Sequence, residues 1–328
     1  MSFAEVIGHT KQLQTLRAAL SSQRLHHAYM FLGLEGVGKR TVAMALAKAI
    51  HCEESSDDSC GRCVNCVRID DANHPDVRVV EPLPGKKEIS IQQIRELERE
   101  LRYRSFGGKR KIAIVEPATV MNPSAQNALL KTLEEPPEDC LIILIAPNGG
   151  GLLPTLRSRC LRLSFAPLAR AEVVAFLQRR RGVEPEDAEL LAAMSMGSVG
   201  VAANLDQATL TEKRRNWLGK LSSLKSGDYQ SAIAAAEALA TSREQSLEFL
   251  AWAESWYRDL MIHAVSGKED ELINLDMRQQ INHQGAAVGA ESALDALARI
   301  TCAAGGIHRN LNRRMVLERF LFGVVGGR

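Results

Sequence analysis

Short apolar runs alternate with segments of helical periodicity over the first half of the chain. Ala28–Leu32 (AYMFL), Val77–Glu81 (VRVVE), Lys111–Val115 (KIAIV), Leu141–Ala146 (LIILIA) and Leu161–Phe165 (LRLSF) are five or six residues long, and all but the last lack regular polar alternation. Runs of this kind predict strands of a parallel sheet covered on both faces. Between them, Thr41–Ile50, Ile91–Arg102 and Ser124–Leu133 read as helices, which gives the βαβ rhythm of a doubly wound sheet. One helix can be bounded residue by residue. Asn122 is a good N-cap, Pro123 suits the first helical position, and Pro136-Pro137 stop the helix, placing Leu129, Leu130 and Leu133 on one face. After Pro167 the β-rich runs end. Residues 168–205 predict two or three short helices, broken at Gly182-Val183 and Gly197. From about 206 onward the pattern is helical nearly to the end, with Trp217, Trp252 and Trp256 as core anchors. Three domains are expected, 1–166, 167–205 and 206–328, although length alone at roughly 150 residues per domain gives two.

Composition narrows the class. The 328 residues are 45% hydrophobic and 24% charged, which excludes a disordered or collagen-like chain. Aromatics at 5% argue for helices over a strand-rich sandwich or barrel. A net charge of +2, from 41 basic and 39 acidic residues, provides no broad basic field, so any nucleic-acid contact has to come from a local patch. No apolar run reaches the roughly 18 residues of a membrane span, and MSFAEVIGHTKQ lacks the basic-then-apolar pattern of a signal peptide. A reducing, cytoplasmic setting is expected, where disulfides are rare.

In that setting the seven cysteines take on meaning. Cys52, Cys60, Cys63 and Cys66 follow C-x7-C-x2-C-x2-C, so one loop and the end of the preceding helix can supply four tetrahedral corners, with Gly61 easing the turn. Four thiolates fill the coordination sphere, so the expected metal is structural Zn²⁺; free thiols or disulfides are the other reading. Cys140, Cys160 and Cys302 are expected to be small buried residues.

The first strand runs into G33-L-E-G36-V-G38-K39-R40-T41. Gly33, Gly36, Gly38 and Lys39 have the spacing of a phosphate loop, whose backbone N–H groups cradle phosphates at a helix N-terminus. The residue after the lysine should be Ser or Thr, to hold Mg²⁺. Arg40 stands there instead, and Thr41 lies about 100° further round the helix. After IAIV, where an Asp-Glu pair should serve the metal and the attacking water, the chain has Glu116 and Pro117. Pro117 cannot activate water. A turn that binds no nucleotide, ATP binding without turnover, and hydrolysis are the three readings, and two losses at the hydrolytic centre weigh against the last. Other signals are weaker: Gln178–Arg181 fit a solvated helix end or a phosphate contact, Lys109–Lys111 before a strand leave the same two readings, His74-Pro75-Asp76 form a turn, and no histidine has a nucleophile partner. By themselves Arg157, Arg159 and Arg162 are a basic segment near a strand.

Taken together, HHAYMFLGLEGVGKRT, the four-cysteine spacing, NHPDVRVVEP, NALLKTLEEPP and LRSRCLRL, in this order over residues 26–163, resemble the bacterial clamp-loader ATPase family of the AAA+ superfamily. NALLKTLEEPP and Ser158-Arg159-Cys160 are the most specific marks, and N310-L-N-R-R-M-V-L-E fits the family's C-terminal region. The resemblance implies an α/β AAA+ P-loop-type doubly wound parallel sheet with an inserted zinc knuckle (52–66), followed by a small helical lid (167–205) and an all-α C-terminal collar (206–328). A motor member would carry an intact phosphate loop, an Asp-Glu pair and an arginine after the Gly-Ser of the lid. This chain has Gly197-Ser198-Val199-Gly200 there, so it resembles the non-motor branch. That branch implies no intrinsic ATPase and an arginine finger, Arg159, donated in trans to a neighbour's ATP. A guanidinium fork fits phosphate oxygens bidentately and stabilises developing charge. The implied partners are the motor (gamma/tau) and delta subunits of DNA polymerase III in a hetero-pentamer, and through the assembly the sliding clamp and primer–template DNA. A catalytically active motor subunit is the alternative.

Overall fold

All five apolar runs become strands of one parallel sheet: β1 (Ala28–Leu32), β2 (Val77–Val80), β3 (Lys111–Val115), β4 (Cys140–Ala146) and β5 (Leu161–Ser164), in the order β2-β3-β4-β1-β5. These positions come from a computed structural model, which describes residues 2–107 and 109–326, with the backbone alone at residues 207, 208, 270, 286, 287 and 308. The chain divides into two compact units: one runs up to Gly182 and takes in Ser195–Ala203, and the other comprises Val183–Met194 and the chain from Asn204.

In the first unit β4 lies at the centre and all seven of its residues are buried, as expected of a strand with helices on both faces. Its register aligns Leu144 with Met30 on one side and Val115 on the other. Alternate residues point to opposite faces. Tyr29, Phe31, Ile112, Ile114, Ile143 and Ile145 pack against α1 (Thr10–Ser21) and α2 (Lys39–His51). Met30, Ala113, Val115, Ile142 and Leu144 pack against α4 (Ile91–Leu101) and α5 (Pro123–Glu134); α3 (Val64–Asp70) lies between α2 and α4 in sequence. The capping expected for α5 is present: the Asn122 side chain accepts the Ala125 N–H at 2.9 Å, and Pro123 opens the helix. A short α6 (Pro154–Arg157) leads into β5.

Residues 168–205 hold three helices. The first, α7 (Arg170–Arg181), ends at Gly182; α8 (Pro185–Met194) and α9 (Val199–Asn204) flank Gly197. Of these, α7 lies in the first unit and α8 in the second. The second unit continues as α10 (Gln207–Ser222), α11 (Tyr229–Leu239), α12 (Arg243–Ser266), α13 (Arg278–His308, broken at Gly289) and α14 (Arg313–Gly326). Trp252 and Trp256 sit in its core with Phe249 and Phe320, and Trp217 packs on the rim. Fully buried Arg214 is held by Asp276 at 2.8 and 2.9 Å and by Asn274 at 2.7 Å. One expectation needs correcting. Cys140 and Cys160 are buried, but Cys302 is exposed, because it lies one position off the stripe on which Ile300, Ala303 and Ile307 face the core of α13.

Candidate functional site

The phosphate loop links β1 to α2 and is closed on itself. An added Cβ at Gly33 would lie 2.2 Å from the Phe165 carbonyl oxygen, and one at Gly36 (φ +74°) 2.3 Å from Ser198 Oγ. Neither position admits a side chain. Ser198 Oγ donates to the Glu35 carbonyl at 2.8 Å and the Gly200 N–H to the Gly36 carbonyl at 2.8 Å. The Gly197–Gly200 segment thus clasps the loop through one side-chain and one backbone donor, and carries Val199 after its Gly-Ser dipeptide. Gly38, also left-handed, caps α2. Lys39 is buried, and its Nζ donates to the carbonyls of Gly33 and Leu34, both at 2.6 Å. Burial lowers the Lys39 pKa, against the opposing fields of Glu116 and Glu35. Gly33, Gly36, Gly38 and Lys39 are therefore brought together as the spacing predicts, with the lysine satisfied by its own loop.

Arg40 lies in the first turn of α2. Its Nη1 pairs with Glu81, at the end of β2, and with Glu116 at 3.1 Å, at the end of β3. Burial pushes the Glu116 carboxyl up, and the Arg40 guanidinium works against that rise. For Arg40 burial acts downward, but the ion pairs with Glu81 and Glu116 outweigh it and raise its pKa. A fixed cation thus neutralises the carboxylate that a metal would need, and Pro117 follows it. Glu81 has no local sequence signal; only the sheet, with β2 beside β3, places it here.

Arg159 sits between α6 and β5. Its neighbour Cys160 is buried, and burial pushes that thiol up to about 12, so Cys160 anchors the strand entry while Arg159 faces outward, its side chain 34% exposed. Nη1 donates to the Thr155 carbonyl at 2.8 Å, and Nη2 pairs with Glu134 Oε1 at 2.6 Å. Sequence reasoning found Arg159 and missed Glu134, which belongs to the LEEPP stretch.

Cys52, Cys60, Cys63 and Cys66 meet with their sulfurs within 4.8 Å of one another, a cluster able to hold a metal ion. Cys52 caps the end of α2, Cys63 the start of α3, and Gly61 (φ +71°) turns the loop between them. Cys52 Sγ accepts the Cys60 N–H at 3.3 Å, and Cys60 Sγ accepts those of Cys63 at 3.2 Å and Arg62 at 3.5 Å. Backbone donors aimed at sulfur stabilise thiolates, the form that ligates metal. Burial raises the Cys63 thiol, but N–H groups of Glu53 and Cys66 outweigh it and bring it down to about 7; burial drives Cys66 up to about 12. The donor set suits a soft or borderline cation with every position filled. Buried His51, His74 and Asp76 form a second group that the sequence did not reveal. Two of the three are already engaged: His74 Nδ1 accepts the Asp76 N–H, and the Asp76 carboxylate accepts the N–H groups of Phe106 and Gly107.

A family model described as DNA polymerase III, delta subunit, matches residues 8–169. DNA polymerase III subunit delta' of Pseudomonas aeruginosa is 31% identical over 314 residues, 94% of this chain and 94% of that protein. The Bacillus subtilis delta' subunit is 30% identical over 316 residues, again 94% of each. The tau subunit of Escherichia coli is 34% identical over 214 residues, but only 63% of this chain and 33% of that protein are covered. Similarity to the tau protein takes in under two thirds of this chain, whereas the similarity to these two delta' subunits covers 94% of it. The chain belongs to the delta' subunit family of DNA polymerase III.

Proposed function

We propose that this chain is the non-motor AAA+ subunit of a bacterial clamp loader: it turns over no ATP of its own and donates Arg159 to the ATP of a neighbouring motor subunit. The observation that carries the reading is the Arg40–Glu116 pair at 3.1 Å, an internal cation on the carboxylate that hydrolysis would need for Mg²⁺. Lys39 on its own loop carbonyls and Pro117 after Glu116 support it. The relatives named gamma and tau supply the class of motor neighbour, and with a delta subunit they complete the hetero-pentamer that loads the sliding clamp on primer–template DNA in the cytoplasm. Among the described residues no helix is long and apolar enough to cross a membrane. In this reading 167–205 is the lid, 206–328 the collar, and the four cysteines hold structural Zn²⁺. Arg159 presents a planar cation to phosphate oxygens as charge develops on them; arginines in this role contribute about 10³–10⁵ in rate in other NTPases.

Phosphate release by the assembly, reconstituted with its motor and delta subunits, clamp and primed DNA, tests the reading. Arg159→Ala should lower the rate, and the chain alone should release no phosphate. An unchanged rate removes the finger, and turnover by the chain alone that disappears in Lys39→Ala makes it a motor subunit.

A further inference from the structure

We propose that Glu134 is a positioning residue for Arg159: it fixes the plane of the guanidinium so that the free edge of the fork faces outward. The inference rests on the reading of Arg159 as a residue acting on a neighbour's phosphates.

Three observations converge on it. The pair is tight, with Nη2 to Glu134 Oε1 at 2.6 Å, while Nη1 is tied to the Thr155 carbonyl at 2.8 Å. Two anchors on two nitrogens define a plane; Nη1 also donates to Ser158 Oγ at 3.5 Å, and the remaining N–H groups of the fork are left for a ligand. Next, Glu134 is the last residue of α5, where the helix dipole is negative and a carboxylate is the disfavoured choice. Helix stability does not explain it; a cation held against both the carboxylate and the helix end does. Finally, the two elements are locked together. Buried Gln126 of α5 donates to the carbonyls of Met121 and Gly151, both at 3.1 Å, and accepts the Leu153 N–H at 2.8 Å, immediately before α6. Two of these three bonds, those to Gly151 and Leu153, thus join the helix bearing Glu134 to the segment that leads into the turn bearing Thr155 and Arg159. The arginine is pre-ordered by this frame, so fewer side-chain conformations are lost when a phosphate engages it.

The test is ATP turnover by the reconstituted assembly, with kcat and KM separated, for Glu134→Ala, Glu134→Gln, Arg159→Ala and the double variant Glu134→Ala/Arg159→Ala. Native mass of each assembly reports whether it is intact. Glu134→Ala should lower kcat about fivefold, the size a partly exposed ion pair supports, at unchanged KM and unchanged mass. Glu134→Gln, which keeps an acceptor oxygen, should lie between. On the Arg159→Ala background, Glu134→Ala should cost nothing further, since a residue acting only through Arg159 has nothing left to act on. A further fivefold loss in the double variant overturns the proposal, as does an unchanged or raised kcat in Glu134→Ala while Arg159→Ala remains impaired. A flat response to Arg159→Ala is a different failure: it removes the finger itself, and the proposal with it.

Discussion

Replacing Arg40 with alanine isolates the electrostatics of the closed phosphate loop. The guanidinium bridges two carboxylates of unlike exposure. The Glu81 side chain is 49% exposed, and its pair with Arg40 is worth about 0.5 kcal/mol. Glu116 is 23% exposed, and leaving it without its cation costs about 1–2 kcal/mol. The expected loss is about 2 kcal/mol, or roughly 4–8 °C in the midpoint of the first unit. The loss has a sign in pH. Burial already raises the Glu116 carboxyl and Arg40 opposes that rise, so the variant's carboxyl titrates higher still. A carboxyl whose folded pKa lies above its unfolded value near 4.5 stabilises the fold while protonated. That contribution is full below the unfolded value and is lost as pH rises through the folded one. The gap between wild type and Arg40→Ala should therefore be small near pH 5 and full near pH 8.

The assay follows from where the tryptophans lie. All three, Trp217, Trp252 and Trp256, are in the second unit, so thermal unfolding read by tryptophan fluorescence is an internal control, while far-ultraviolet circular dichroism reports both units. Arg40→Ala should shift the dichroism midpoint and leave the fluorescence midpoint in place. Arg40→Ala/Glu116→Gln should recover about 1 kcal/mol, because the amide carries no charge to strand. A loss that is equal at pH 5 and pH 8 and is not relieved by Glu116→Gln refutes the reasoning, and Arg40 then acts through packing alone.

Two further predictions concern the cysteines and the second unit. The protein as isolated should contain one zinc per chain by elemental analysis and expose one fast-reacting thiol, Cys302, since burial pushes Cys140 to about 11 and Cys160 to about 12; a strong chelator should release the zinc and expose the four knuckle thiols, and Cys66→Ser should abolish the stoichiometric zinc. Arg214→Met should destabilise the second unit by about 3–5 kcal/mol, seen as a lowered tryptophan-fluorescence midpoint, because it leaves Asp276 and Asn274 without their shared donor; a loss under 1 kcal/mol would show that the buried pair adds little.

What the sequence disclosed depended on the distance over which each feature is encoded. The inner strands β1, β3 and β4 were legible because burial on both faces leaves a contiguous apolar run, as in Cys140–Ala146, whereas the edge strands β2 and β5 are less buried. The α5 boundaries follow from Asn122, Pro123 and Pro136, and the knuckle from four cysteines within fifteen positions. The helix Thr10–Ser21 went unread, since only Leu13 and Leu16 of its residues are buried and so thin a stripe leaves no strong period. The partners of Arg40 lie 41 and 76 positions away, and Glu134 is 25 before Arg159; no local pattern connects them until the sheet order and the Gln126 junction bring them together. Ser198, read only as part of a segment missing an arginine, is 163 positions from the Glu35 carbonyl it binds.

These placements explain why a phosphate-loop signature persists in a chain read as having no motor activity. Gly33 is required by the Phe165 carbonyl and Gly36 by the Ser198–Gly200 clasp, whether or not a phosphate ever binds. Lys39 bridges two carbonyls of the sharp turn, holding the loop closed, a task that stands apart from nucleotide chemistry. Each retained residue thus has a packing or hydrogen-bonding task inside the unit. The three departures, Arg40, Pro117 and Val199, fall where the demand comes from metal, water or nucleotide. A fold that keeps the residues its backbone needs and has lost those only the reaction needs is what conversion of a motor domain into a rigid arginine donor would leave. On this argument Lys39→Met in the assembled complex should cost stability in the first unit and leave the turnover set by Arg159 unchanged. A fall in kcat beyond what the stability loss explains would mean that nucleotide at this loop still governs the ring.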